Sequence, residues 1–159
     1  MNKNAVDLSK RVGSFNDEVI RFVENCSDED WERICMPEDW PVGVTARHIG
    51  AGHYQVMAMA KMILNGEALP RMTADDITRL ANEHARKHAD CSKSEVLDVL
   101  RENGRKVVDF LASMDDSQIE KTGHLPAAGK DMSVGKLLET AILVSGGEHF
   151  ESMKKVVRK

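Results

Sequence analysis

Two histidines on separate apolar stripes carry the strongest chemical signal in this chain. From Trp40-Pro41-Val42-Gly43-Val44-Thr45-Ala46-Arg47-His48 onward, Val44, His48, Gly52, Val56, Met59 and Ile63 follow at three- or four-residue steps. That spacing puts His48 on the inner face of a helix. Val134, Leu138, Ala141, Ser145, His149 and Met153 form a second stripe of the same kind. Imidazole is the commonest ligand for zinc and other late first-row divalent metals. A catalytic zinc site takes three protein ligands plus water, and the stripes supply two histidines, His48 and His149. Ser145 lies four residues before His149 and faces the same way. A protonated serine hydroxyl is a poor ligand, so the functional reading is a partial divalent-metal site in which Ser145 would hold a water or touch a bound molecule. The alternative is two buried histidines hydrogen-bonded to neighbours or to a water.

Other candidates are weaker. His84 and His88 form a His-x-x-x-His pair, a spacing that suits two ligands on one helix. They continue the face of Ile77, Leu80 and Ala81, but Glu83, Arg86, Lys87 and Asp90 around them favour a partly exposed pair. His53 falls outside the His48 stripe, and His124 falls in a loop. Glu148 is turned about 100° from His149 around the helix axis, which suits a solvated or ion-paired carboxylate. Gly146-Gly147 has no preceding strand, so it is not a phosphate loop. No serine sits in a nucleophile elbow. Cys26, Cys35 and Cys91 are odd in number and lack a Cys-x-x-Cys pair, so they read as reduced, with Cys26 on a packing stripe.

These side chains need long helices to position them. The first is expected over about Asn4 to Cys26, buried through Leu8, Val12, Phe15, Val19, Phe22 and Cys26. Ser27 caps a short helical turn through Trp31 and Ile34, and Pro37 and Pro41 bracket an irregular link. Trp40 is placed to plug one end of a bundle. The second helix runs from about Val42 to Asn65, ended by Gly66 and Pro70. Gly50 and Gly52 inside it cost roughly 1 kcal/mol each relative to alanine, a cost offset where a glycine makes room for a close neighbour. Thr73 starts a third segment ending near Asp90. Ser92 and Glu95 form a capping box for a helix to about Met114, with Leu97, Leu100, Gly104, Val107, Val108 and Leu111 inward. Asp115 to Met132 reads as a helical turn and a loop, and Ser133 caps a last helix to about Lys155. No strand pattern appears. The expectation is an all-α, antiparallel four-helix bundle with one or two extra short helices, forming a single domain over residues 1–159.

Composition narrows the function. The chain has 159 residues, 42% hydrophobic and 30% charged, with a formal charge of −4. That balance offers no basic stripe for nucleic acid. Lys154, Lys155, Arg158 and Lys159 suit the negative end of a helix. No run reaches the roughly 18 apolar residues of a membrane span. Met1-Asn2-Lys3-Asn4 leads directly into an amphipathic stretch, so no signal peptide is expected. Cytoplasmic location is the corresponding expectation.

The chain resembles the DinB-like superfamily of helical bundles. The resemblance rests on Trp40-Pro41-Val42 leading to His48-Ile49, on Asn82-Glu83-His84-Ala85-Arg86, and on Ser94-Glu95-Val96-Leu97 with Leu100. It is completed by Leu137-Leu138 through His149-Phe150-Glu151-Ser152-Met153-Lys154. It implies a four-helix bundle with a three-histidine metal site, one ligand from the second helix and a His-x-x-x-His pair from the last. By position His48 matches the first ligand and His149 the last, while the middle position is Ser145. It further implies a divalent metal (zinc, nickel or manganese) and a thiol-dependent S-transferase or isomerase using a low-molecular-weight thiol. In such enzymes the metal raises the thiolate fraction of the bound thiol. The alternative is a metal-free, non-enzymatic bundle that binds a small ligand or serves as an interaction module. Bundles of this kind pair through helix faces, so a homodimer is expected.

Overall fold

The structure, a computed structural model, describes residues 3–157, so Arg158 and Lys159 of the basic end lie outside the described residues. The first helix, α1 (Lys3–Asn25), buries Leu8, Val12, Val19 and Val23 along one face. A short α2 (Asp28–Glu32) follows, with a reciprocal cap between Ser27 and Asp30. Then come β1 (Ile34–Cys35), β2 (Trp40–Pro41) and α3 (Val42–Ala51). A 3₁₀ turn at His53–Gln55 leads into α4 (Val56–Leu64). The separate α5 (Ala74–Lys87) is capped by Thr73 and Asp76, and α6 (Lys93–Ala112) by Ser92. After α7 (Asp116–Glu120) come β3 (Thr122–Leu125) and β4 (Lys130–Ser133). The last helix is α8 (Val134–Leu138), a π-helical stretch at Glu139–Ser145, and α9 (Gly146–Val157).

Four long helical units therefore form the bundle: α1, α3 with α4, α6, and α8 through α9. Side-chain pairings give their directions. Ser9 reaches Val108 and Asn16 reaches Leu100, so α1 and α6 run antiparallel. Arg47 meets Glu95 and Gly50 meets Asn103, so α3 and α6 run parallel. Arg11 meets Glu139 and Phe22 meets Phe150, so α1 and the last helix also run parallel. Parallel neighbours demand long crossovers, and residues 65–92 supply one, with α5 inside it.

One polar knot pins the core. Asn16, on α1 and only 6% exposed, donates to the Leu100 carbonyl at 3.2 Å and accepts from the Tyr54 hydroxyl at 2.7 Å. Gly104 makes room for it, since a Cβ there would lie 2.1 Å from Asn16 Nδ2.

The expected all-α four-helix bundle stands, but its neighbours are not all antiparallel as expected. Helices α3 and α6, and α1 and the last helix, run parallel because the long crossover over residues 65–92 returns the chain in the same direction. Two antiparallel hairpins, β1–β2 and β3–β4, occupy segments expected to be irregular. Each is two short strands, below the length at which alternation is visible. The continuous second helix expected over Val42 to Asn65 is broken at Gly52. The capping box expected at Ser92 is half made: Ser92 Oγ accepts the Glu95 amide, while the Glu95 carboxylate turns to Arg47. No helix among the described residues is long and apolar enough to cross a membrane.

Candidate metal centre

The break in the second helix builds the site. In an unbroken α-helix, five steps would set His53 about 140° around the axis from His48. Here α3 stops at Ala51 and the 3₁₀ turn begins at His53, so both imidazoles face the same interior. Their ring centroids are 4.8 Å apart. His149 on α9 closes the group, 5.2 Å from His48 and 4.9 Å from His53. One ring nitrogen from each of the three lies within 4.8 Å of the others. Gly52 makes this approach possible. A Cβ there would fall 2.7 Å from His48 Nδ1 and Cε1, so its cost in helix propensity is offset by room for the imidazole.

Hydrogen bonds fix two of the three tautomers. The π-helical stretch brings the Ala141 carbonyl to His53 Nδ1 at 2.7 Å. A carbonyl only accepts, so His53 Nδ1 carries the hydrogen and Nε2 keeps its lone pair. That Nε2 is buried and has no hydrogen-bond partner. His149 Nδ1 donates to Glu38 Oε1 at 2.8 Å, which leaves its Nε2 lone pair available in the same way. Glu38 comes from the turn between β1 and β2. Its side chain is only 7% exposed, and its second oxygen is buried without a partner. A carboxylate behind a ligating imidazole orients the ring and raises its basicity.

Burial keeps His48 and His53 neutral, the form in which an imidazole binds metal. Burial pushes His48 down to about 3, reinforced by His53, His149 and His84. Burial and then His149 push His53 down to about 4, against the Ala141 hydrogen bond. Three imidazoles whose ring nitrogens converge, with His48 Nδ1 and His53 Nε2 both buried and without a hydrogen-bond partner, fit a divalent cation. Three protein ligands are the number found in catalytic rather than closed structural sites.

Trp40 does not simply plug the bundle. Its ring stacks on His149 at 5.9 Å and meets His48 edge-on at 5.0 Å. Its indole N–H donates to Asn82 Oδ1 at 3.1 Å, which ties α5 over the site. His84, expected as one of a partly exposed pair, is half-buried, with its ring 5.7 Å from His48. The Arg47 guanidinium donates to His84 Nε2 and also pairs with Glu95. Burial and Arg47 push His84 down to about 4. Arg47 only donates, so His84 is neutral with its hydrogen on Nδ1.

Two clefts meet at the cluster. One of about 730 Å³ is lined by Glu38, Trp40, Asn82, Glu148, His149 and Lys155 among others. The second, of about 510 Å³, includes Ser145, Thr140 and Met59. His48 and His53 line both. The structure thus groups the expected His48 and His149, places Ser145 on the wall of the second cleft, and adds His53 and Glu38. The exposed His124 pairs with Asp131 on the β3–β4 hairpin at 3.0 Å. The cysteines are free and buried. Burial pushes both Cys26 and Cys91 up to about 11 and raises Cys35, so none is a ready nucleophile.

Comparison with known proteins agrees with this architecture. The family model of the DinB superfamily matches residues 15–143. Among solved structures, YfiT from Bacillus subtilis, described as a probable metal-dependent hydrolase with an unusual four-helix bundle topology, superposes with a TM-score of 0.73. The match is 16% identical and covers 97% of this chain and 84% of that one. No curated protein matches the chain.

Proposed function

Taking as its premise that the chain belongs to the DinB superfamily, we propose that it is a divalent-metal-dependent enzyme whose metal is held by His48, His53 and His149. The observation that carries this reading is the convergence of three ring nitrogens within 4.8 Å, with the ring orientations of His53 and His149 fixed by Ala141 and Glu38. His53 supplies from the second helix the third imidazole that Ser145 does not supply from the last. This restores the ligand count and weakens the case for a metal-free binding module.

When bound, the ion supplies Lewis acidity that lowers the pKa of a thiol or water at its open position. The chain's own groups do the rest. Glu38 holds His149 in the ligating tautomer, and the Ala141 carbonyl does the same for His53. Trp40 shields the cluster from solvent. The two clefts meeting at His48 and His53 leave room for two reactants. That favours transfer of a low-molecular-weight thiol to an electrophile, as an S-transferase or isomerase. Hydrolysis is the second reading, favoured by the description of YfiT.

The test is metal analysis of protein purified without tag or chelator, beside His48→Ala and His53→Ala. About one equivalent of zinc, nickel or manganese, absent from both variants, supports the site. A native chain that refuses all three ions overturns it. Thiol-consumption and ester-hydrolysis assays on the loaded protein then separate the two reactions.

A further inference from the structure

The cleft of about 510 Å³ carries no Asp, Glu, Lys or Arg among its described lining residues. Apart from His48, His53 and His84 at the cluster and the uncharged Gln55, Thr140 and Ser145, its walls are hydrocarbon and thioether, with Met59, Met72, Leu80 and Met132 prominent. The charged groups around the cluster, Glu38, Glu148, Glu151 and Lys155, all line the neighbouring cleft instead. Ile77 and Leu80, on α5, are 46% and 43% exposed, unusual for large apolar side chains, and both line the apolar cleft. Burying a charged group against such walls without a partner is costly. Methionine-rich walls adapt to varied apolar shapes.

From this segregation we propose that the apolar cleft is the binding site for an uncharged, hydrocarbon-rich substrate, with its reacting group at the His48–His53 end. This rests on the metal-enzyme reading only for the identity of that end. A polar nucleophile such as a small thiol then approaches through the other cleft, where hydrogen-bonding and charged groups await it. The site thus discriminates by charge: a formal charge on the hydrocarbon part of the substrate is rejected at Leu80, Met59 and Met132.

Two probes sharing one ring system and differing by one charge test this. N-phenyl-1-naphthylamine is neutral, and 1-anilinonaphthalene-8-sulfonate adds a sulfonate. Fluorescence titration of the full chain should show the neutral probe binding at least tenfold more tightly. Leu80→Lys, at a helix position 43% exposed, should weaken the neutral probe at least fivefold and narrow the preference. Ile34→Lys, also exposed but outside the cleft, should change neither. Equal or tighter binding of the sulfonate by the native chain overturns the proposal, as does a neutral-probe affinity indifferent to Leu80→Lys. Zinc titration of the same samples keeps the two readings apart. Zinc binding without probe discrimination removes the substrate class alone; discrimination without zinc binding removes the metal alone.

Discussion

Replacing Glu38 with glutamine separates charge from shape at the metal centre. The carboxylate accepts from His149 Nδ1 at 2.8 Å, its side chain is 7% exposed, and its second oxygen is buried without a partner. In Glu38→Gln the amide oxygen can still accept from His149, so the imidazole keeps its tautomer and orientation. The negative charge behind the ligand is lost. Loss of an outer-shell partner typically costs 10–100-fold in metal affinity, or about 1.4–2.7 kcal/mol. The retained hydrogen bond puts Glu38→Gln near the lower figure and Glu38→Ala near the upper one. Stability should move differently. A buried carboxylate with one oxygen left unpartnered is poorly compensated in the metal-free protein. Glu38→Gln should therefore leave the metal-free urea midpoint unchanged or raised. The assay is competition for zinc against a chromophoric chelator, with ring-nitrogen NMR of His149 to follow its tautomer. Zinc affinity within twofold of native in both variants would refute the assignment of Glu38 to His149's support.

Acidification should destabilise the metal-free protein: the folded His48 and His53 titrate near 3 and 4, below the ordinary 6.5. Between pH 6.5 and about 4 the unfolded chain takes up protons that the folded chain refuses. Stability is thus fully present above 6.5 and falls through this window by up to about 1.4 kcal/mol per pH unit for each histidine. Urea midpoints across that range check it, and a slope unchanged by His53→Ala would contradict it. His53→Ser should abolish zinc binding, and His53→Ser with Ser145→His should recover at least a tenth of the native affinity, because Ser145 lines the same cleft as His48 and His53. A double variant as empty as the single one would show that the two positions do not address one ion. Gly52→Ala should lower zinc affinity roughly tenfold or more while leaving the helical circular dichroism intact, since its Cβ would fall 2.7 Å from the His48 ring. Native-like affinity would show that His48 can yield without losing the site.

The bundle was legible because burial in long helices repeats. Leu8, Val12 and Val19 on α1 and Leu100, Val107 and Leu111 on α6 are buried, as their spacing required. The caps at Ser27, Thr73, Ser92 and Ser133 were equally legible, since capping depends on a side chain and an amide three residues away. The hairpins were not, because two to four residues give too few alternations to outweigh the helical context. Helix directions were hidden for a different reason: stripe spacing says which face is inward but not which neighbour it meets.

The metal centre shows where a periodic reading must fail. His48 and His149 stood on clean stripes and could be found. His53 stood off its stripe, and the rule that excluded it assumed a helix without interruption. Gly50 and Gly52 were the available signal, since two costly glycines in one helix mark either close packing or a break. Both outcomes occur: Gly50 packs against Val99 and Leu100, and Gly52 ends the helix beside the His48 ring. The π-helical stretch has the same character on the facing helix, where widening the backbone ring brings the Ala141 carbonyl to His53. Glu38 is harder still, because a turn residue 111 positions from His149 leaves no periodic trace. The site therefore lies where both ligand-bearing helices depart from ideal geometry. Those departures, a 3₁₀ turn and a π-helical stretch, are the kind that recur at functional sites, and their coincidence around three histidines is what regular helices alone would not produce.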